Sequence, residues 1–194
     1  MSLSIDERVS DLPIERAERL QRIIENLDVS EERLCPAELE IVALAVAKRP
    51  ELFEDLIATN GKSSWWLLLH RAANFEVKVL TWDCDVASDW HDHGGSSGAI
   101  AVTQGALYER HRAADHVNVI ARCYGTGQYT SFGPDYVHDV VLQSDEPAVS
   151  IHVYSPPLSG LTFYDETPYG FVAREVVPEE RRSTYRISRP RSSV

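Results

Sequence analysis

The chain has 194 residues, 43% apolar and 25% charged, with 19 basic against 30 acidic side chains and a formal net charge of −11. This size and composition fit one folded domain with a substantial core and argue against a disordered segment. The acidic balance repels phosphate backbones and anionic headgroups, so no nucleic acid and no membrane surface is an expected partner.

In chain order, the first sixty residues read as helical. Asp11 is placed to cap a helix with Pro13 near its first turn, and Ala17, Leu20, Ile24 and Leu27 follow at helical spacing. A second helix is predicted after Pro36, with Leu39, Val42, Ala43 and Val46 on one side. A third is predicted over Leu52–Ala58, ending near Gly61. Beyond Gly61 the pattern changes to short runs of branched and aromatic residues. Strands are predicted over Trp65–Leu69, Phe75–Trp82, Ala99–Thr103, Leu107–His111, Val117–Tyr124, Val137–Leu142 and Val149–Tyr154, separated by Gly, Asn and Asp clusters. The expected fold is mainly β, a small β-barrel over residues 61–178 with an N-terminal helical segment over 1–60 packed on it, in one domain of residues 1–194. Residues 179–194 are a basic tail in which Arg181, Arg182, Arg186, Arg189 and Arg191 cluster, either a solvated terminus or a local anion patch.

Three cysteines, Cys35, Cys84 and Cys123, include no CxxC pair and are expected to be buried apolar residues rather than ligands. Their odd number argues for a reducing compartment. With no secretory-type leader and no apolar run of membrane length, the expected location is cytoplasmic.

The chemistry concentrates in Trp90-His91-Asp92-His93-Gly94-Gly95-Ser96-Ser97-Gly98, followed by Gly105. On a strand, side chains at i and i+2 share a face, so His91 and His93 are expected side by side as two metal ligands. His138, in a later glycine-bounded hairpin, is the expected third ligand from a facing strand. Three neutral imidazoles suit iron, zinc, copper or nickel better than magnesium or calcium. They leave a divalent ion its full charge and open coordination positions, which favours an anionic substrate ligand. His70, His111 and His116 have no such partners in the sequence and are expected to be exposed. Ser150, His152 and Tyr154 alternate with Val149, Ile151 and Val153, so one strand face is polar and the other apolar. The polar face either meets solvent or looks into the site, with Ser150 holding His152 and His152 orienting the Tyr154 phenol.

The spacing resembles the cupin superfamily, whose first motif runs HxH, four residues, Glu, six residues, Gly. His91, His93, Gly98 and Gly105 stand at those positions, with Gly98 in place of the usual glutamate ligand. The second motif matches Gly127, Gly133 (usually Pro), Asp135 (usually Gly) and His138. Over roughly Phe75 to Pro157, the His-Asp-His and Ser-x-His-x-Tyr-Ser-Pro-Pro runs resemble the cysteine dioxygenase family of cupin thiol dioxygenases, bacterial type. The resemblance implies a jelly-roll barrel and Fe(2+) bound by His91, His93 and His138. It also implies an outer triad of Ser150, His152 and Tyr154, with a small thiol and dioxygen as partners in forming a sulfinic acid. Vertebrate members carry a cysteine cross-linked to the tyrosine where this chain has Gly98, so no cross-link is expected.

Cysteine-specific members anchor the substrate carboxylate through an arginine on the strand before Phe75. That region here reads Trp65-Trp66-Leu67-Leu68-Leu69, and the nearest arginine is Arg71, which is either the substrate-binding residue or a surface residue. L-cysteine and another thiol acid of the 3-mercaptopropionate type both remain open as substrate. The residues also admit a non-oxidative metal-dependent cupin enzyme or a small-ligand-binding cupin.

Overall fold

The computed structural model describes residues 13–55, 57, 65–83, 87–112 and 118–178. Asp11, Cys84, His116 and the arginines of the basic tail lie outside the described residues. Two helices, α1 (Ile14–Glu25) and α2 (Pro36–Ala47), precede ten strands. These are β1 (Trp65–Arg71), β2 (Glu76–Trp82), β3 (Ser97–Gln104), β4 (Ala106–Arg112), β5 (Val119–Gly125), β6 (Tyr129–Phe132), β7 (His138–Leu142), β8 (Ala148–Ser155), β9 (Gly160–Thr167) and β10 (Gly170–Pro178).

The α2 stripe behaves as its spacing dictates. Leu39, Val42, Ala43 and Val46 are completely buried, at i, i+3, i+4 and i+7. Its start is fixed by a reciprocal cap, in which the Cys35 thiol accepts from the Glu38 N–H and the Glu38 carboxylate accepts from the Cys35 N–H at 2.8 Å. This corrects the expected burial of Cys35, which is exposed because its thiol caps a helix. Cys123 is exposed as well, on β5, whose first five residues all face solvent. The expected third helix is also different. A 3-10 turn covers Pro50–Leu52, residues 54, 55 and 57 are helical, and the expected end at Gly61 is outside the described residues.

β1, β2, β8, β3 and β6 form one antiparallel sheet in that order, and β5, β4 and β7 form a second. β9 pairs with β10, and the stretch from Ala87 to Asp92 bridges β7 to β9. Ala87 pairs with Val141, and His91 pairs with both His138 and Phe163. The two smaller sheets thereby become one wall, facing the five-stranded sheet as in a flattened barrel. Strand alternation divides the five-stranded sheet cleanly. Val77, Val79, Ala99, Ala101, Val149, Ile151 and Val153 pack outward against the helices in one core. Tyr154, Ile100, Leu161 and Phe163 pack inward in a second core, and Trp82, Val102, Leu107 and Val140 in a third. The helices therefore cover the outside of the sheet and leave the barrel interior to the polar residues of β8.

Three strands have no counterpart in the sequence prediction. β6 is four residues long, too short to show an alternation, β9 runs into the exposed Asp165 and Glu166, and β10 carries the exposed Arg174 and Glu175 in its middle.

Candidate active site

His91, His93 and His138 converge inside the barrel, with one ring nitrogen from each lying within 4.8 Å of the others. Their ring centroids are 5.1, 4.7 and 4.9 Å apart, and all three side chains are buried. The backbones of His91 and His138 are bonded to each other. Each N–H donates to the other's carbonyl, at 2.9 and 3.0 Å. The route to this geometry differs from the expected one. His91 sits on an isolated bridge and His93 in the turn before β3, so the pair does not share a regular strand. Gly94 and Gly95, at φ 59° and 84°, reverse the chain there, and a Cβ on Gly94 would lie 2.9 Å from the Gly160 carbonyl oxygen.

Asp92, between the two ligands, fastens this turn to β9. Its carboxylate accepts from the N–H of Gly94 (3.0 Å) and of Thr162 (3.1 Å), and from the Tyr164 hydroxyl (2.7 Å). Burial and this bond to Asp92 push the Tyr164 phenol up to about 12.

The donor set fits a transition metal. His91 Nδ1–H donates to the Asp89 carbonyl at 2.8 Å, and His138 Nδ1–H donates to Glu109 Oε1 at 2.6 Å. In both rings Nε2 is then the deprotonated atom available as ligand, the tautomer that a metal requires. Burial pushes the Glu109 carboxyl up. The hydrogen bond and charge of His138, the charge of His111 and the nearby Tyr136 phenol outweigh it and hold the group below its ordinary value. Burial first, and then the charge of Glu109, raise the Tyr136 phenol in turn. His111 is opposite His138 in the β4–β7 register, with Nδ1 4.0 Å from Glu109 Oε2 and its side chain 14% exposed. This corrects the expectation of an exposed, partnerless residue: it flanks His138 and Glu109. His70 is half-buried beside Phe75, ring centroids 5.2 Å apart, and burial lowers its pKa.

Aromatic rings enclose the three imidazoles. Phe132 and Tyr154 stack on His93 at 4.7 and 5.2 Å, and Tyr136 stacks on Phe132 at 4.5 Å. Gly98 makes room for this. A Cβ there would fall 2.4 Å from the Phe132 ring and 3.1 Å from Tyr154 Cδ1.

On β8, Ser150 Oγ lies 2.8 Å from His152 Nε2, and His152 Nδ1 lies 2.9 Å from the Tyr154 hydroxyl. A residue that the sequence reading did not single out anchors the Ser150 end of these bonds. Trp82 Nε1, which can only donate, gives its proton to Ser150 Oγ at 2.9 Å. Ser150 Oγ keeps its own proton and one lone pair for His152 Nε2, and the other ring nitrogen, Nδ1, meets the Tyr154 hydroxyl. Trp82 reads as a core residue in the sequence; only the pairing of β2 with β8 brings it to Ser150.

Arg71 ends β1 opposite Glu76, and both its Nε (3.0 Å) and Nη2 donate to Glu76 Oε2. Glu76 Oε1 lies 2.8 Å from Lys78 Nζ. Glu76 and Lys78 are buried on the interior face, cross-strand from Tyr154 and His152. In the sequence these two alternate with valines and look like the solvent half of an amphipathic strand, which is why neither was singled out.

A profile of the family described as cysteine dioxygenase type I matches residues 55–167. Solved structures with similar folds include a protein with a double-stranded β-helix domain from Klebsiella pneumoniae, at 16% identity and a TM-score of 0.45 over 53% of this chain and 85% of that one. A protein of Thermus thermophilus is similar at 16% identity and a TM-score of 0.44, over 50% and 88% of the two chains. Oxalate decarboxylase of Bacillus subtilis is similar at 13% identity and a TM-score of 0.47, over 53% and 28%. The family match spans more than half of the chain and encloses the three histidines, the Ser150–His152–Tyr154 relay and Trp82, so this chain belongs to the cysteine dioxygenase type I family.

Proposed function

We propose that this chain is a non-haem iron thiol dioxygenase, which oxidises a small thiol such as L-cysteine with O2 to the sulfinic acid. The observation that carries this reading is a buried three-imidazole cluster with a relay-held phenol stacked on one of its rings, inside the segment that the family profile matches. His91, His93 and His138 would hold Fe(2+), which when bound supplies open positions for thiol and dioxygen and a charge that favours the thiolate. The balance needs no further reductant, because sulfur gives up four electrons and both oxygen atoms end on it.

This chain's own residues supply orientation. Tyr154 presents its hydroxyl to the reacting polar atoms, and His152, in contact with Ser150, itself bonded to Trp82, holds that hydroxyl in place. Phe132, Tyr136 and Phe163 exclude bulk water from the imidazoles. Arg71 belongs to the substrate side of the site, together with Glu76. Two exposed free thiols, Cys35 and Cys123, support a reducing, cytoplasmic location. Among the described residues no helix is long and apolar enough to cross a membrane. Residues 1–194 are read as a single unit around this barrel.

The test is an oxygen electrode trace on the iron-loaded protein across a panel of thiols, with product mass read in parallel. The expected result is thiol-dependent uptake matched by a product two oxygen atoms heavier than the thiol. Absence of uptake with every thiol overturns the proposal.

A further inference from the structure

We propose that Phe132 is a positioning residue for the metal site: with Tyr154, and over the side-chain-free position at Gly98, it forms a seat that fixes the plane of the His93 imidazole. This deepens the dioxygenase reading and rests on it only for the metal that the imidazole would meet.

The seat follows from register. β3 runs between β8 and β6, and Gly98 stands opposite Tyr154 on one side and Phe132 on the other. Cross-strand partners share a face, so Tyr154, Gly98 and Phe132 form one row across the barrel interior. The middle of the row has no side chain, and the Phe132 ring occupies its place. A Cβ on residue 98 would fall 2.4 and 2.5 Å from Phe132 Cζ and Cε2, and 3.1 Å from Tyr154 Cδ1. Gly98 lies within β3, so the glycine is required here for space. Phe132 has little freedom to withdraw. Tyr136 lies against it with ring centroids 4.5 Å apart and planes 9° apart, and the neighbouring Ser131 Oγ donates to Glu40 of α2 at 2.5 Å.

The seat acts on a torsion that local chemistry leaves loose. The terminal torsion of a histidine is broad, so its rotamer does not set its ring plane. The lone pair of a ring nitrogen lies in that plane, and a tilted plane aims it past the ion. His91 and His138 have Nδ1 bonded to the Asp89 carbonyl and to Glu109. His93 meets Phe132 and Tyr154 face on, with 4.7 and 5.2 Å between centroids and 29° and 28° between planes. Turning the imidazole runs its edge into these rings, in an interior without space to yield. Phe132 thus acts through His93, on the direction of a ligand atom.

The test reads the ring first and the metal second. In metal-free protein, the His93 ring protons are assigned by their absence from the proton NMR spectrum of His93→Gln. Stacking places them in the shielding zone of both rings, so they should lie upfield, and Phe132→Leu should move them downfield. Ferrous iron affinity, from competition against a chelator, should weaken about 3- to 10-fold, the worth of one aromatic pair. Gly98→Ala should do the same, because its Cβ displaces the Phe132 ring. Leucine lacks the Cζ and Cε2 atoms that this Cβ meets. Phe132→Leu should therefore raise the melting temperature of Gly98→Ala, and the double variant should bind iron no more weakly than Phe132→Leu alone. If Gly98→Ala does not fold, recovery of folding in the double variant carries the same information, and failing that the Phe132→Leu result decides. The seat is overturned if Phe132→Leu leaves the His93 lines or the iron affinity unmoved, or if the two substitutions add in full. Iron binding without thiol-dependent oxygen uptake would sink the dioxygenase reading and keep the seat. Uptake with His93 lines indifferent to Phe132 would do the reverse, and a wild type that binds no iron overturns both.

Discussion

At the scale of single residues, hydrogen-bond direction is decided by groups that have no choice. The Trp82 indole can only donate and the Glu109 carboxylate can only accept, so one fixes the sense of the bond to Ser150 Oγ and the other fixes the His138 tautomer. Tyr154→Phe keeps the ring that stacks on His93 and loses the proton, so turnover should fall about 100-fold with the metal content unchanged, read by metal analysis beside oxygen uptake. Glu109→Gln keeps the shape but removes the strong acceptor behind His138. Metal affinity should weaken about 10- to 100-fold in a competition titration against a chelator.

At the scale of elements, α2 holds the five-stranded sheet from outside, and its two ends of evidence are packing and a cap. Leu39→Ala removes a completely buried side chain from the helix–sheet core and should cost about 2–5 kcal/mol in denaturant unfolding. Glu38 accepts from the backbone N–H groups of Cys35 and Ser30, and these bonds hold its carboxyl below the ordinary 4.5. A depressed native pKa contributes stability above the ordinary carboxylate value, and that contribution is lost as pH falls through the native one. The melting temperature of the wild type should therefore exceed that of Glu38→Gln near neutral pH, and the gap should close on acidification below 4.5. The bridging stretch from Ala87 to Asp92 matters for a different reason. It closes the second wall and also carries a ligand, so the same backbone bonds that complete the barrel aim His91.

At the scale of the whole molecule, the three clustered histidines come from a bridge, a turn and β7, and only a closed barrel brings them together. An ion bound by all three favours the native state over the unfolded chain. Its contribution is about 4 kcal/mol when free metal stands 1,000-fold above Kd. Chelation should lower the melting temperature of the wild type, and the same treatment should leave His138→Ala unmoved. The histidines were legible because two of them stand two residues apart and the third follows a turn signal. The β8 relay was legible because a strand alternates with a period of two. Lys78 was not legible, since a charged residue alternating with valines has the same pattern whether its face meets solvent or a barrel interior, and Glu109 and His111 were not, since the run Glu109-Arg110-His111-Arg112 reads as solvent-facing throughout.

The amino-acid order alone determined the helix-then-strand succession, seven of the ten strands and the identity of the three imidazoles, because these depend on periodicity and short-range turn chemistry. Tertiary structure decided which strand faces look inward, what stands behind each imidazole and where the buried positive charge lies. Those depend on which strands pair and in what register, and pairing partners far apart in the chain leave no periodic trace.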